Sequence, residues 1–247
     1  IVDIPTVEER GGRDWYETIP LSIIVTENLI ITVCMQDTPV LHPFMEGTIR
    51  GFNTFMRSRF ILQILYRNAT MYLRYLRIID RESDKLELKL RHSMQNREIV
   101  MLMELSKTLV YFTTSLKSNE IVMEKLTTLQ RIKQYPDDED LLDDVITENK
   151  QAIEMANIYS GVLANMTDAF ASIVSNNLNI VMRIFTIISI TLSIPTLIFS
   201  MYGMNFDGGM MGMPFTDKPW GFMLIIVISM VLSGAVAWFL TRSRMFK

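Results

Sequence analysis

Residues 184–202 and 220–240 carry no charged side chain. Each run is about twenty residues long, the length an α-helix needs to cross a hydrocarbon layer of about 30 Å. Buried core helices are the other home for such runs, but two in succession at this length are rare outside membranes. Flanking charge orients them. Arg183 precedes the first run, and Arg242, Arg244 and Lys247 follow the second, whereas the loop 203–219 has only Lys218 beside Asp207 and Asp217. The excess of cations on one side predicts cytoplasmic chain ends and an outside loop, with Trp220 and Trp238 near the two interfaces. The expected place is a cell membrane, with the lipid bilayer as a partner.

Composition supports the division. The chain is 49% hydrophobic yet 21% charged, and the apolar residues gather near its end while residues 80–150 are dense in charge. A net charge of −3 gives no case for a nucleic-acid partner. The lone Cys34 excludes an internal disulfide, and His42 and His92 are too far apart in sequence to argue for a histidine metal site. No phosphate loop, dinucleotide fingerprint or nucleophile–base pair is visible, so no enzymatic role is expected. No secretory signal is visible. The chain opens at Ile1 in strand-like sequence, and the expectation is that the front of a domain is missing.

Tyr135-Pro136-Asp137 reads as a stop followed by a helix start, with Asp137, Asp138, Glu139 and Asp140 at the positive end of the helix dipole. From there to Tyr202 the only proline is Pro195 and the only glycine Gly161. Residues 141–202 as one helix would reach about 93 Å. Steps of three and four along it pick out Asn165, Asp168, Ser172, Ser175, Asn179, Met182, Thr186, Ser189, Ser193, Thr196, Ser200 and Gly203, nearly all polar. Such spacing is the seam of helices packed with slight left-handed supercoil. Small hydroxyl residues also permit close helix packing in membranes. Here the stripe continues below the apolar run into Asn179 and Asp168, which favours a conduit. Two spans cannot enclose a pore, so the stripe must be repeated by oligomerisation. Thr191 falls outside the stripe, four residues before Pro195, whose missing N–H frees its carbonyl and predicts a bend.

The stripe ends at Tyr202-Gly203-Met204-Asn205-Phe206. A ring of carboxamide oxygens there could accept hydrogen bonds from the waters that magnesium gives up reluctantly. Weak holding also permits release, which conduction requires. Met182 would form an apolar ring near the inner end, and such rings gate by dewetting. Upstream, strands are expected over 1–4, 21–25 and 29–33, then two or three helices between 52 and 135 with a break near residues 115–119.

Tyr202-Gly203-Met204-Asn205-Phe206 after one span, with a second span at the chain's end, resembles the CorA family of magnesium channels. Asn177-Leu178-Asn179, Met182, Thr186 and Pro195 are similar to its first span. The resemblance implies an α+β fold. It comprises a truncated cytoplasmic α/β domain with a helical bundle (1–135), a stalk helix (136–183) running into the first span (184–202), an outer loop (203–219), the second span (220–240) and a basic tail (241–247). It further implies a homopentameric funnel that takes up Mg2+, and with it cobalt or nickel. Gly203, Met204 and Asn205 would form the selectivity filter. Asn179, Met182, Phe185, Thr186, Ser189, Ser193, Thr196 and Ser200 would line the pore, and Asn165, Asp168, Ser172 and Ser175 the funnel. Family members are closed by Mg2+ bound between subunits near the start of the long helix, which points to Asp143 and Asp144, with Asp140 beside them. This chain departs from a common Met-Pro-Glu-Leu loop with Met213-Pro214-Phe215-Thr216, and Ser193 stands where some relatives have a large apolar residue. The constriction would then depend on Met182 and Phe185. A zinc transporter of the same superfamily and a membrane-anchored scaffold or sensor are the competing readings. Met204 leans toward magnesium, because zinc relatives tend to differ there.

Overall fold

The computed structural model describes residues 1–10, 12, 14–92, 96–129, 136–204 and 219–243. Three strands, β1 (Val2–Glu9), β2 (Asp14–Val25) and β3 (Ile30–Cys34), precede five helices. These are α1 (His42–Met45), α2 (Arg57–His92), α3 (Asn96–Thr127), α4 (Pro136–Tyr202) and α5 (Gly221–Arg242). The chain divides into two compact units, Ile1–Phe170 and Ala171–Lys247, and α4 contributes to both.

In the first unit the strands form an antiparallel sheet in the order β1-β2-β3. β1 and β2 are longer than the sequence pattern implied, because both run through a proline. The register explains why. Asp3 lies opposite Pro20, and the N–H and C=O of Asp3 point away from β2, where side chains bind them. Pro5, two residues on, has its nitrogen on the same outer edge. Pro20 faces the other way, past the point where Leu21 pairs with Cys34 and β3 ends. Neither proline removes a ladder hydrogen bond.

The outer edge of β1 is closed by side chains. Asn119 accepts from the Asp3 N–H at 2.8 Å and donates to the Asp3 carbonyl at 2.7 Å, so its carboxamide stands in for a neighbouring strand. Asn68 and the Tyr72 hydroxyl donate to the same carbonyl at 2.9 and 3.2 Å. Ser115 donates to the Thr18 hydroxyl and Thr108 to the Tyr16 carbonyl. This is why α3 does not break at residues 115–119. Poor helix formers there spend their polar groups on the sheet, and tertiary contacts override local propensity. Burial pushes the Tyr72 phenol far up, which keeps it a donor.

Tyr72 meets Phe112 edge-on at 5.0 Å in the centre of the core. α4 adds Val145, Ala152, Ala156 and Leu163, all at most 2% exposed, and the buried Asn149 amide donates to the Leu116 carbonyl at 3.1 Å. Its first turn is tied to α2. Arg59 donates to Asp138 at 2.8 Å and to Asp137 at 3.2 Å, and Leu62 packs on Leu142 beside this pair. By length and composition α3 is a third helix apolar enough to cross a membrane. Its apolar face, with Leu102, Leu109, Phe112 and Leu116 buried, is used in this core instead.

In the second unit each helix has one covered face. On α5 it is Gly221, Ile225, Ser229 and Ser233, spaced by four. On α4 it is Arg183, Ile187, Thr191, Ile194, Pro195, Ile198 and Tyr202, half-buried at steps of three and four. The helix continues through Pro195.

Candidate functional site

The hydroxyl stripe lies on the uncovered side of α4. Thr186, Ser189, Ser193, Thr196 and Ser200 are all exposed within the unit. At 100° per residue, their mean direction is about 160° from the covered face. Ser189, Ser193, Thr196 and Ser200 line a shallow groove of about 460 Å³ with Leu192, Leu197, Met201 and Met204. Below it Met182 and Phe185 are 57% and 63% exposed, and Asn179 is exposed too. Within the first unit Asn165 and Asp168 are exposed on the side away from buried Leu163 and Phe170, and Ser172 and Ser175 are exposed in the second.

Three of the five hydroxyl protons of this stripe have defined acceptors. Thr186 donates to the Met182 carbonyl at 2.8 Å, Ser193 to the Ser189 carbonyl at 2.8 Å, and Thr196 to the Leu192 carbonyl at 2.9 Å. Each bond runs back one turn, a normal habit of helical Ser and Thr. It consumes the only proton of the hydroxyl and leaves lone pairs on the oxygen. At Ser193 and Thr196 the groove is therefore edged by hydrogen-bond acceptors that carry no formal charge.

At the top, α4 closes with the Gly203 N–H on the Phe199 and Ser200 carbonyls at 2.9 and 3.2 Å. A methyl at Gly203 would meet those oxygens at 3.4 and 3.6 Å, which is ordinary contact. Among the described residues, packing does not demand the glycine. Met204 is 58% exposed and belongs to the groove. Asn205, with Asp207, Asp217 and the Met213-Pro214 segment, lies outside the described residues.

Asp140, Asp143 and Asp144 are all exposed on α4. Among the described residues no three His, Cys, Asp or Glu side chains are grouped to hold a metal ion. Asp138, expected from the sequence only as an acid at the start of the helix, is 1% exposed and paired with Arg59. The hydrogen bonds to Asp138 and then Asp137 raise the Arg59 pKa, so that side chain remains a cation. A partner 79 positions away leaves no local signal in a sequence. Farther along, burial and then Asp84 push the Asp80 carboxyl up, against a hydrogen bond from Tyr159.

A sequence model described as CorA-like Mg2+ transporter protein matches residues 4–242. The chain belongs to this family. It is 26% identical over 263 aligned positions to the cobalt/magnesium transport protein CorA of Methanocaldococcus jannaschii, covering 98% of this chain and 80% of that one. It is 25% identical over 228 positions to the protein of that description from Thermotoga maritima, covering 88% of this chain and 62% of the relative. The complete structure of the CorA magnesium transporter from M. jannaschii superposes with a TM-score of 0.72 at 25% identity, over 97% of this chain and 79% of that one. The family thus accounts for a helix-rich chain with a small sheet and apolar helices long enough to span a membrane.

Proposed function

We propose that this chain is the subunit of a homopentameric channel that carries hydrated Mg2+ across a cell membrane, along the hydroxyl stripe of α4. The observation that carries this reading is the uncovered stripe, in which Thr186, Ser193 and Thr196 have their protons committed to the helix. A hydrated divalent cation turns water hydrogens outward, and those hydrogens need acceptors. Magnesium keeps several waters when bound, so neutral oxygens that hold its shell without replacing it permit passage. No acidic residue lies in residues 184–202 to trap the ion. Five copies of α4 would close the groove into a pore, with α5 outside them and both chain ends in the cytoplasm.

In this reading Asn205 forms the outer carboxamide ring. Gly203 is glycine because neighbouring copies approach there, since the described residues of its own chain leave space for a methyl. Met182 and Phe185 form the inner apolar constriction. Cytoplasmic Mg2+ closes the channel by bridging Asp143 and Asp144 of one subunit to the next. Magnesium is commonly held by one or two carboxylates plus waters, and these two exposed acids at the start of α4 fit that donor set. Cobalt is a second cargo, as the relatives' names state for those proteins.

The test is flux into liposomes. The reconstituted protein should admit Mg2+, and Asn205→Ala should lose selectivity for Mg2+ over Ca2+ while its assembled mass stays unchanged. Unaltered selectivity in that variant, or a wild-type protein that stays a monomer in a bilayer, overturns the proposal.

A further inference from the structure

The covered seam between α4 and α5 holds two hydroxyls that nothing satisfies. Thr191 Oγ1 and Ser233 Oγ are buried and have no hydrogen-bond partner. Ser233 is 8% exposed. Three other hydroxyls on α4, Thr186, Ser193 and Thr196, donate back one turn, and Ser229 on α5 donates to the Ile226 carbonyl. Thr191 and Ser233 make no such bond. A third polar atom belongs with them. Pro195 lies four residues after Thr191 inside α4, and its lack of an N–H deprives the Thr191 carbonyl of its helical partner.

Counted in opposite directions from Tyr202 and Gly221, Thr191 is eleven residues along α4 and Ser233 twelve along α5, about the same depth at 1.5 Å per residue. α4 and α5 lie in one unit. Reading their covered residues in opposite directions matches Tyr202 with Gly221, Ile198 with Ile225, Ile194 and Pro195 with Ser229, and Thr191 with Ser233. Unsatisfied polar groups cost several kcal/mol each where no bulk water reaches. A bound water needs two to four polar partners, and these three groups would supply them.

We propose that one water molecule sits in the seam at this level, bridging Thr191 Oγ1, the Thr191 carbonyl and Ser233 Oγ. Prolines in membrane helices are accommodated by such waters and hydroxyls. The water accepts from one hydroxyl and donates to the freed carbonyl and the other, so all three groups are served. It also keeps α4 and α5 joined where α4 lacks a rung of its own ladder. The site rests on burial and on Pro195, not on the chain being a channel.

The test is a double-mutant cycle on the detergent-solubilised full chain, unfolded by SDS, using Thr191→Val and Ser233→Ala. Each single change leaves the other hydroxyl with a water short of partners, whereas the pair removes both hydroxyls and leaves only the backbone carbonyl of residue 191. The double variant should be more stable than the sum of the singles predicts, by about threefold in the unfolding constant (~0.6 kcal/mol), the mean for polar pairs between membrane helices. Strictly additive effects overturn the proposal. A high-resolution density map of the protein in lipid discs should show one water between the hydroxyls. A direct contact between Thr191 Oγ1 and Ser233 Oγ also overturns it. Neither readout depends on flux, so failure here leaves the channel reading standing, and a protein without flux leaves the water testable.

Discussion

Replacing Asn119 by alanine should open the first unit more than any surface change of similar size. Asn119 is fully buried. Its amide donates to the Asp3 carbonyl at 2.7 Å and accepts from the Asp3 N–H at 2.8 Å. The carbonyl keeps Asn68 and Tyr72, so losing one donor there costs about 1 kcal/mol, the net value of a typical hydrogen bond. The N–H loses its Asn119 acceptor, and a buried donor left bare costs about 1–3 kcal/mol. The sum is about 3 kcal/mol, or roughly a hundredfold in the opened population at 1.36 kcal/mol per factor of ten. Asn119→Asp should be worse at neutral pH, since a carboxylate oxygen then faces the Asp3 carbonyl. Folding would raise that carboxyl's pKa. Its stability is therefore present in acid and lost as pH rises through the folded value, so the variant should recover toward about pH 4. Pulse proteolysis of the detergent-solubilised chain in urea measures the opened population. A change in Asn119→Ala below 0.5 kcal/mol, or an Asn119→Asp variant that is insensitive to pH, would refute the idea that this carboxamide acts as a strand edge.

Thr196→Val keeps shape but removes an acceptor in every subunit, so Mg2+ flux in liposomes should fall at least tenfold without loss of assembly. Equal flux would show that the stripe is only a packing surface. Asp143→Ala together with Asp144→Ala should leave a channel that no longer closes as internal Mg2+ rises, read by patch recording across an internal Mg2+ series. Burial, then Asp14 and Glu82, push the Tyr16 phenol up to about 12. Its contribution to stability is complete below the ordinary phenol value of about 10 and disappears as pH rises through the folded value. Alkaline unfolding followed between those limits should be less steep in Tyr16→Phe.

The parts of this fold that were legible in the sequence are those set by local pattern. Charge-free runs, a three–four stripe and an acidic helix start depend on neighbours within a few positions, and α4 and α5 begin and end close to where those signals place them. What escaped depends on pairs far apart. The extension of β1 and β2 through Pro5 and Pro20 follows from which edge each nitrogen faces, which only the register decides. The unbroken α3 follows from Ser115 and Asn119 reaching strands about a hundred positions earlier. The Arg59–Asp138 pair is invisible for the same reason, as is the division of α4's residues between its uncovered stripe and the face toward α5. The stripe itself could be read, but the direction of its hydroxyl protons could not, since that depends on side-chain rotamers.

For the proposed channel those rotamers would have one more consequence, for the sign of charge admitted. An anion such as chloride is solvated by groups that give it hydrogen, and Thr186, Ser193 and Thr196 have already given theirs to the carbonyls one turn below. In the proposed channel these three positions would present oxygen rather than hydrogen, a polarity that disfavours anions without a single carboxylate and is fixed in the backbone ladder.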